Sequence, residues 1–127
     1  MKTQKNTTNK PMENKTMSEP RVLYLPIKRK WFDMIEAKIK RDEYRERKPH
    51  WESRLVKSVK DGVTTPREYD WICLHVGYGP DVPKLWLPWR GYSVSNLLYP
   101  EWCDPCEGPR PIHFVIRMRN PQREKPF

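Results

Sequence analysis

The sequence predicts a small α+β barrel. Three observations carry that reading. The segments order as β–α–charged segment–α–β–β–loop–β. The two clearest strands alternate in side-chain character. Polar ends enclose one block of the 127-residue chain that is long enough for a single domain. Residues 1–20 hold almost no apolar side chains and read as a disordered tail or basic arm. Residues 21–119 form the expected domain, and 120–127 a polar C-terminal tail with two prolines.

Each element follows from local pattern. VLYLPI, from Val22 to Ile27, is a compact apolar run and reads as a strand. From Lys28 to Ala37 the period becomes helical. Trp31, Ile35 and either Phe32 or Met34 share a face, with Lys30, Asp33 and Glu36 outside. Residues 40–47 are so highly charged that propensity favours helix while pattern does not decide; helix and strand stay open. Pro49 suits a first helical turn, and Trp51, Arg54, Leu55 and Ser58 give a short helix over 49–58. Asp61–Gly62 marks a turn. Tyr69 to Val76 alternates, with Trp71, Cys73 and His75 on one face and Ile72, Leu74 and Val76 on the other. Lys84 to Val94 reads as one strand with Pro88 at an edge or bulge. The proline-rich 95–111 is a loop. Ile112 to Met118 closes the domain as a strand, with Ile112, Phe114 and Ile116 on one face.

Composition narrows the function classes. Apolar residues make up 36% of the chain, so any core is small, and six Trp and six Tyr must supply much of its area. No run of about 18 apolar residues exists to span a membrane. The polar N-terminus lacks the apolar stretch of a secretory signal. Three cysteines, an odd number, fit a reducing compartment, so a cytoplasmic location is expected. The net charge is +9, and the excess is uneven: residues 28–60 carry twelve Lys/Arg against six Asp/Glu, whereas 61–110 carry four against seven. A basic stretch interleaved with aromatics favours a polyanion partner, because Lys and Arg contacts to phosphate release counterions. A solvated basic surface is the plainer alternative.

Three constellations could carry chemistry. In Lys40–Arg41–Asp42–Glu43–Tyr44–Arg45, a strand would point Glu43 and Arg45 the same way. A carboxylate beside a guanidinium can read a base edge, and an enclosed Lys40 could act as a base or electrostatic stabiliser. A surface ion-pair ladder would look the same in sequence. Cys103–Asp104–Pro105–Cys106 has the spacing of a zinc clamp or redox pair, with Cys73, His75, His50 and His113 as the remaining candidate ligands. The following Glu107–Gly108–Pro109 lacks the helix a redox pair needs, so these read as ordinary loop or core cysteines, and no metal or cofactor is expected. Among the tryptophans, Trp86, Trp89 or the loop residue Trp102 could stack on a base; the rest are expected in the core. No GxSxG and no glycine-rich phosphate loop occurs.

The stretch from Leu23 to Leu55 resembles the ASCH family of the PUA-like superfamily, whose hallmark is a G-x-K-x-x-E-x-R pattern at a helix-to-strand junction. Here that register falls on Lys38, Lys40, Glu43 and Arg45, with Lys38 in place of the glycine. Pro100–Glu101–Trp102 looks like the PEW segment of a phage and bacterial subgroup, and Ile112–Met118 like its closing strand. The resemblance spans about residues 22–119. It implies a PUA-like β-barrel with flanking helices, a strand over 41–47, and a cleft lined by Lys40, Glu43 and Arg45. It also implies RNA binding, with RNA cleavage or hydrolysis of acylated cytidine in some members. In the small amidohydrolase branch a threonine, the proposed nucleophile, stands where this chain has Glu43. Here Glu43 would instead activate a water. A lysine resists positive φ, so Lys38 works against the tight turn and adds charge at the cleft mouth.

The expected function is therefore binding of RNA or a modified nucleotide, through Lys38, Lys40, Glu43, Arg45 and Trp102. The alternative is a hydrolase, a ribonuclease or an N4-acetylcytidine-type amidohydrolase, with Lys40 and Glu43 catalytic. A third reading is an accessory domain with a protein partner.

Overall fold

In the computed structural model, residues 19–105 and 111–127 are described. The expected N-terminal tail, apart from Glu19 and Pro20, and Cys106 lie outside them. The described chain is α+β, with eight strands in three sheets and two α-helices.

The apolar run becomes β1 (Val22–Pro26), with Leu23 and Leu25 fully buried and Tyr24 turned outward between them. The helical period becomes α1 (Arg29–Glu36), which buries Trp31, Phe32 and Ile35. The charged segment is a strand, β2 (Asp42–Glu46). Next come α2 (Pro49–Leu55), which opens on Pro49, and the hairpin strands β3 (Val56–Lys60) and β4 (Val63–Pro66). The rest of the scaffold is β5 (Trp71–His75), β6 (Lys84–Pro88), β7 (Tyr92–Ser95), a 3₁₀ turn over Pro100–Trp102, and β8 (His113–Arg117).

One sheet runs β1-β5-β6, with β1 parallel and β6 antiparallel to β5. A second runs β2-β8-β7, all antiparallel. Both sheets and α1 pack on one core that includes Leu25, Phe32, Leu74, Leu87, Phe114 and Ile116. Among the described residues the ladders do not close into a barrel. At the free edge of β1 side chains take over from backbone. Arg54 donates to the carbonyl of Tyr24 (3.0 Å) and Arg45 to that of Pro26 (2.7 Å). These bonds satisfy edge acceptors that would otherwise be open to pairing.

Several expectations are corrected. Lys38 does adopt positive φ (65°). The turn forms because two backbone bonds reward it: Lys38 N–H donates to Ile35 and Ile39 N–H to Met34, the paired bonds of a Schellman cap. The second helix stops at Leu55, and Ser58 lies in β3. Asp61 and Gly62 both have positive φ, which turns β3 straight into β4. The single strand expected over 84–94 is two strands in different sheets, separated at Gly91 (φ 74°). Ile112 precedes β8 and is 49% exposed, while Phe114 and Ile116 enter the core as expected. In β5 both faces are buried from Ile72 to His75.

The C-terminal tail docks against β6. Gln122 and Trp86 exchange both backbone hydrogen bonds (2.8 and 3.0 Å), and Phe127 meets the Trp86 ring edge-on at 5.4 Å. Arg123 binds Glu36 on α1 through two nitrogens and lies over Phe32. No helix among the described residues is long and apolar enough to cross a membrane.

Candidate functional site

The cap at Lys38 reverses the chain out of α1 and drops Lys40 into the interior. Lys40 is 1% exposed, an unusual place for an ammonium. Its Nζ donates to the carbonyl of Asp42 (2.6 Å) and to that of Trp102, and pairs with Glu43 Oε1 at 3.2 Å. An ammonium has three N–H groups, and these partners occupy all three. The rings of Trp31 and Tyr44 lie 5.1 and 5.0 Å from it. Burial lowers the Lys40 pKa, and the Glu43 carboxylate opposes that shift.

Strand alternation then places Glu43 and Arg45 on one side of β2. The other Glu43 oxygen accepts from Arg45 Nε at 2.9 Å and lies 2.7 Å from Nη2. The guanidinium stacks 4.8 Å from the centre of Trp51, which Arg54 also covers at 5.5 Å. Lys40, Glu43 and Arg45 are thus one continuous buried ion triad, fixed to β1 at Pro26 and to the 100s loop at Trp102. Arg45 Nη1 keeps its donors without a partner among the described residues.

Beside the triad is a half-enclosed cleft of about 260 Å³. Its walls are the β1–α1 junction with Lys28, Trp31 on α1, Glu43, Tyr44 and Arg45 on β2, and Trp102 to Asp104 on the loop. Lys28 and Asp104, both exposed, form an ion pair at 2.9 Å on its rim. Tyr44 receives a hydrogen bond from Tyr99 N–H (3.3 Å), and burial raises its phenol pKa. The Trp102 ring lies 4.4 Å from that of Tyr99. The cleft is somewhat smaller than the ~300–1,000 Å³ typical of drug-sized ligands.

Of the residues singled out in the sequence, Glu43, Arg45 and Trp102 line the cleft; Lys40, expected to line it too, is instead sealed behind it, bonded to Glu43 and Trp102. Lys38 does not line the cleft; it is exposed on the turn. Sequence reasoning missed Lys28 and Asp104 altogether and assigned Trp31 only to the core. Lys28 and Trp31 lie one helical turn apart, a spacing that could have paired them. Nothing local marks Asp104.

Chemically, Lys40 is spent on structure: to act as a base it would have to break a saturated set of bonds. Both Glu43 oxygens accept from cations. The groups left to meet a ligand are Arg45 and the aromatic walls. Among the described residues no group of three or more His, Cys, Asp or Glu could hold a metal. His75 and His113 bond nearby backbone at Gly77 and Pro111, and His50 lies against Trp51. Cys103 lines the cleft, with Sγ 3.6 Å from the Tyr99 carbonyl. Cys73 is buried in β5, where desolvation pushes its pKa up to about 11.

Comparisons with protein-family models, curated proteins and solved structures find no match to this chain.

Proposed function

We propose that the protein binds RNA or a modified nucleotide, with one base held in the cleft beside Arg45. The observation that carries this reading is the pairing of a donor-bearing, immobilised guanidinium with the Trp31, Tyr44 and Trp102 walls of one small cleft. Unstacked bases are recognised by such means, through stacking on aromatic rings and hydrogen bonds to their edges. Lys40, behind the cleft, positions Glu43 and Trp102, and Glu43 holds Arg45 at the cleft wall. The Lys40–Glu43–Arg45 register is also the basis for proposing membership of the ASCH family, with the two main sheets corresponding to a PUA-like barrel. A cytoplasmic site of action belongs to the same proposal.

The test is anisotropy of a labelled mixed-sequence single-stranded RNA with wild type, Arg45→Gln and Trp102→Leu, at low and moderate salt. Loss of one base stack is expected to weaken binding roughly 5-fold or more in Trp102→Leu. Identical, wholly salt-labile binding by all three proteins would sink the cleft reading. The endpoints are run on a denaturing gel. RNA that is cut by wild type and intact with Glu43→Gln would move the assignment to the hydrolase alternative.

A further inference from the structure

A second concavity, about 690 Å³ and more open, lies on the outer face of the β1-β5-β6 sheet. Register makes Tyr24, Cys73 and Trp86 cross-strand neighbours there, on the side turned away from Leu25, Leu74 and Leu85. Tyr24 is 48% exposed and presents its ring to the groove. The docked tail forms the facing wall. The Arg123–Glu36 bond and the Phe127–Trp86 contact hold Lys125 there, while β6 supplies Lys84.

These two lysines differ from Arg123, which Glu36 neutralises. Lys84 donates only to the Gly79 and Pro80 carbonyls (3.3 and 3.1 Å), and Lys125 lies 4.7 Å from the centre of the Phe127 ring. Neither is ion-paired among the described residues. Both fields reach the Cys73 thiol beneath the groove floor, where they oppose its upward shift. Among the described residues Asp81 is the one lining carboxylate. The groove and the cleft share no wall residue, but both reach β1, the groove at Tyr24 and the cleft at Pro26. Tyr24 and Pro26 stand two residues apart on β1, about 7 Å along the strand. The guanidiniums of Arg54 and Arg45 bond those two carbonyls in turn, so arginine side chains cap the strand edge that both concavities reach.

We propose that this groove carries the backbone of a single-stranded RNA whose base occupies the cleft, with Lys84 and Lys125 meeting phosphates and Tyr24 stacking a neighbouring base. A cationic groove with an exposed ring is the usual platform for single strands. The inference rests on the nucleotide reading of the cleft and makes the ligand an oligonucleotide rather than a free nucleoside.

The indole N–H signals of Trp86 and Trp102 report the two sites separately. They are followed while the full chain is titrated with a short mixed-sequence RNA and, separately, with ribonucleoside monophosphates. The RNA is expected to move both signals, and the monophosphates Trp102 alone. In Lys84→Gln/Lys125→Gln the slope of log affinity against log salt should flatten by roughly 1.4. Tyr24→Ala should weaken RNA binding roughly 5-fold or more. Monophosphate binding should be unchanged in these variants, which also serves as their folding control. RNA that moves Trp102 but not Trp86, with wild-type affinity in both variants, would overturn the groove. So would an acidic peptide that moves Trp86 where RNA does not. If RNA moves Trp86 and the variants lose affinity while Trp102 stays still, the groove stands and the cleft reading fails.

Discussion

The Lys40–Glu43–Arg45 triad and the Glu36–Arg123 pair use the same chemical groups to join distant parts of the chain, in opposite surroundings. The triad is almost sealed, with side-chain exposures of 0, 7 and 13%. The pair sits in solvent, at 36 and 52%. Desolvation makes each member of the triad dependent on the others, because a lone buried charge has nothing to replace water. The exposed pair can exchange its partner for water at little cost. The first is therefore a rigid frame for a ligand site, and the second a fastening for the tail.

The largest effect that sharpens this contrast is expected from Glu43→Ala. It strands two buried cations, and urea denaturation should show a loss of roughly 3–5 kcal/mol. A loss below about 1 kcal/mol would mean that water reaches the triad and that the frame is not sealed.

Two buried groups, Lys40 in the triad and Cys73 in β5, should titrate with opposite signs in alkali. The folded-state pKa of Lys40 is lowered, so the unfolded chain binds more protons between that value and the ordinary ~10.4. Its contribution to stability is complete above the unfolded value and is lost as pH falls through the folded one. Cys73 behaves conversely. Its pKa rises to about 11, so its contribution is intact below the ordinary thiol value and is lost as pH climbs through 11. Stability relative to Lys40→Met should rise toward pH 10, and stability relative to Cys73→Ala should fall. Slopes of the same sign would contradict the assignment.

A smaller gain is expected at the cap. Lys38→Gly removes a left-handed lysine and should stabilise the fold by about 1 kcal/mol in thermal or urea melts. No gain would mean that the lysine side chain offsets its backbone strain. The smallest effect belongs to Arg123→Gln, which should leave global stability nearly unchanged while broadening the Trp86 indole signal. Because Arg123 lowers the Glu36 pKa, the wild-type tail should loosen in the same way as pH falls below the ordinary carboxylate value.

How much of this was legible in the sequence depends on how local each cause is. The first strand, both helix starts and the final strand follow from apolar spacing and Pro49, and the structure has them. Over KRDEYRER propensity and pattern disagree, and only the family resemblance implies a strand; the ladder with β8 makes residues 42–46 one, and that partner lies about 70 residues away, outside any short window. The Asp61–Gly62 hairpin was readable, since that dipeptide between alternating residues is a strong turn signal, but the helical reading had absorbed Ser58. The docking of the tail on Trp86 has no period to betray it. At the site, Lys40, Glu43 and Arg45 were legible as a triplet. That Lys40 is structural was not, because saturation of its three donors depends on the Trp102 carbonyl, 62 residues away.

The most direct measurement is a set of intermolecular nuclear Overhauser contacts between a bound ribonucleotide and the aromatic side chains. The cleft reading predicts contacts from base protons to the rings of Trp102 and Tyr44, lost in Arg45→Gln. A saturated complex with base contacts elsewhere and none to these two rings would contradict it.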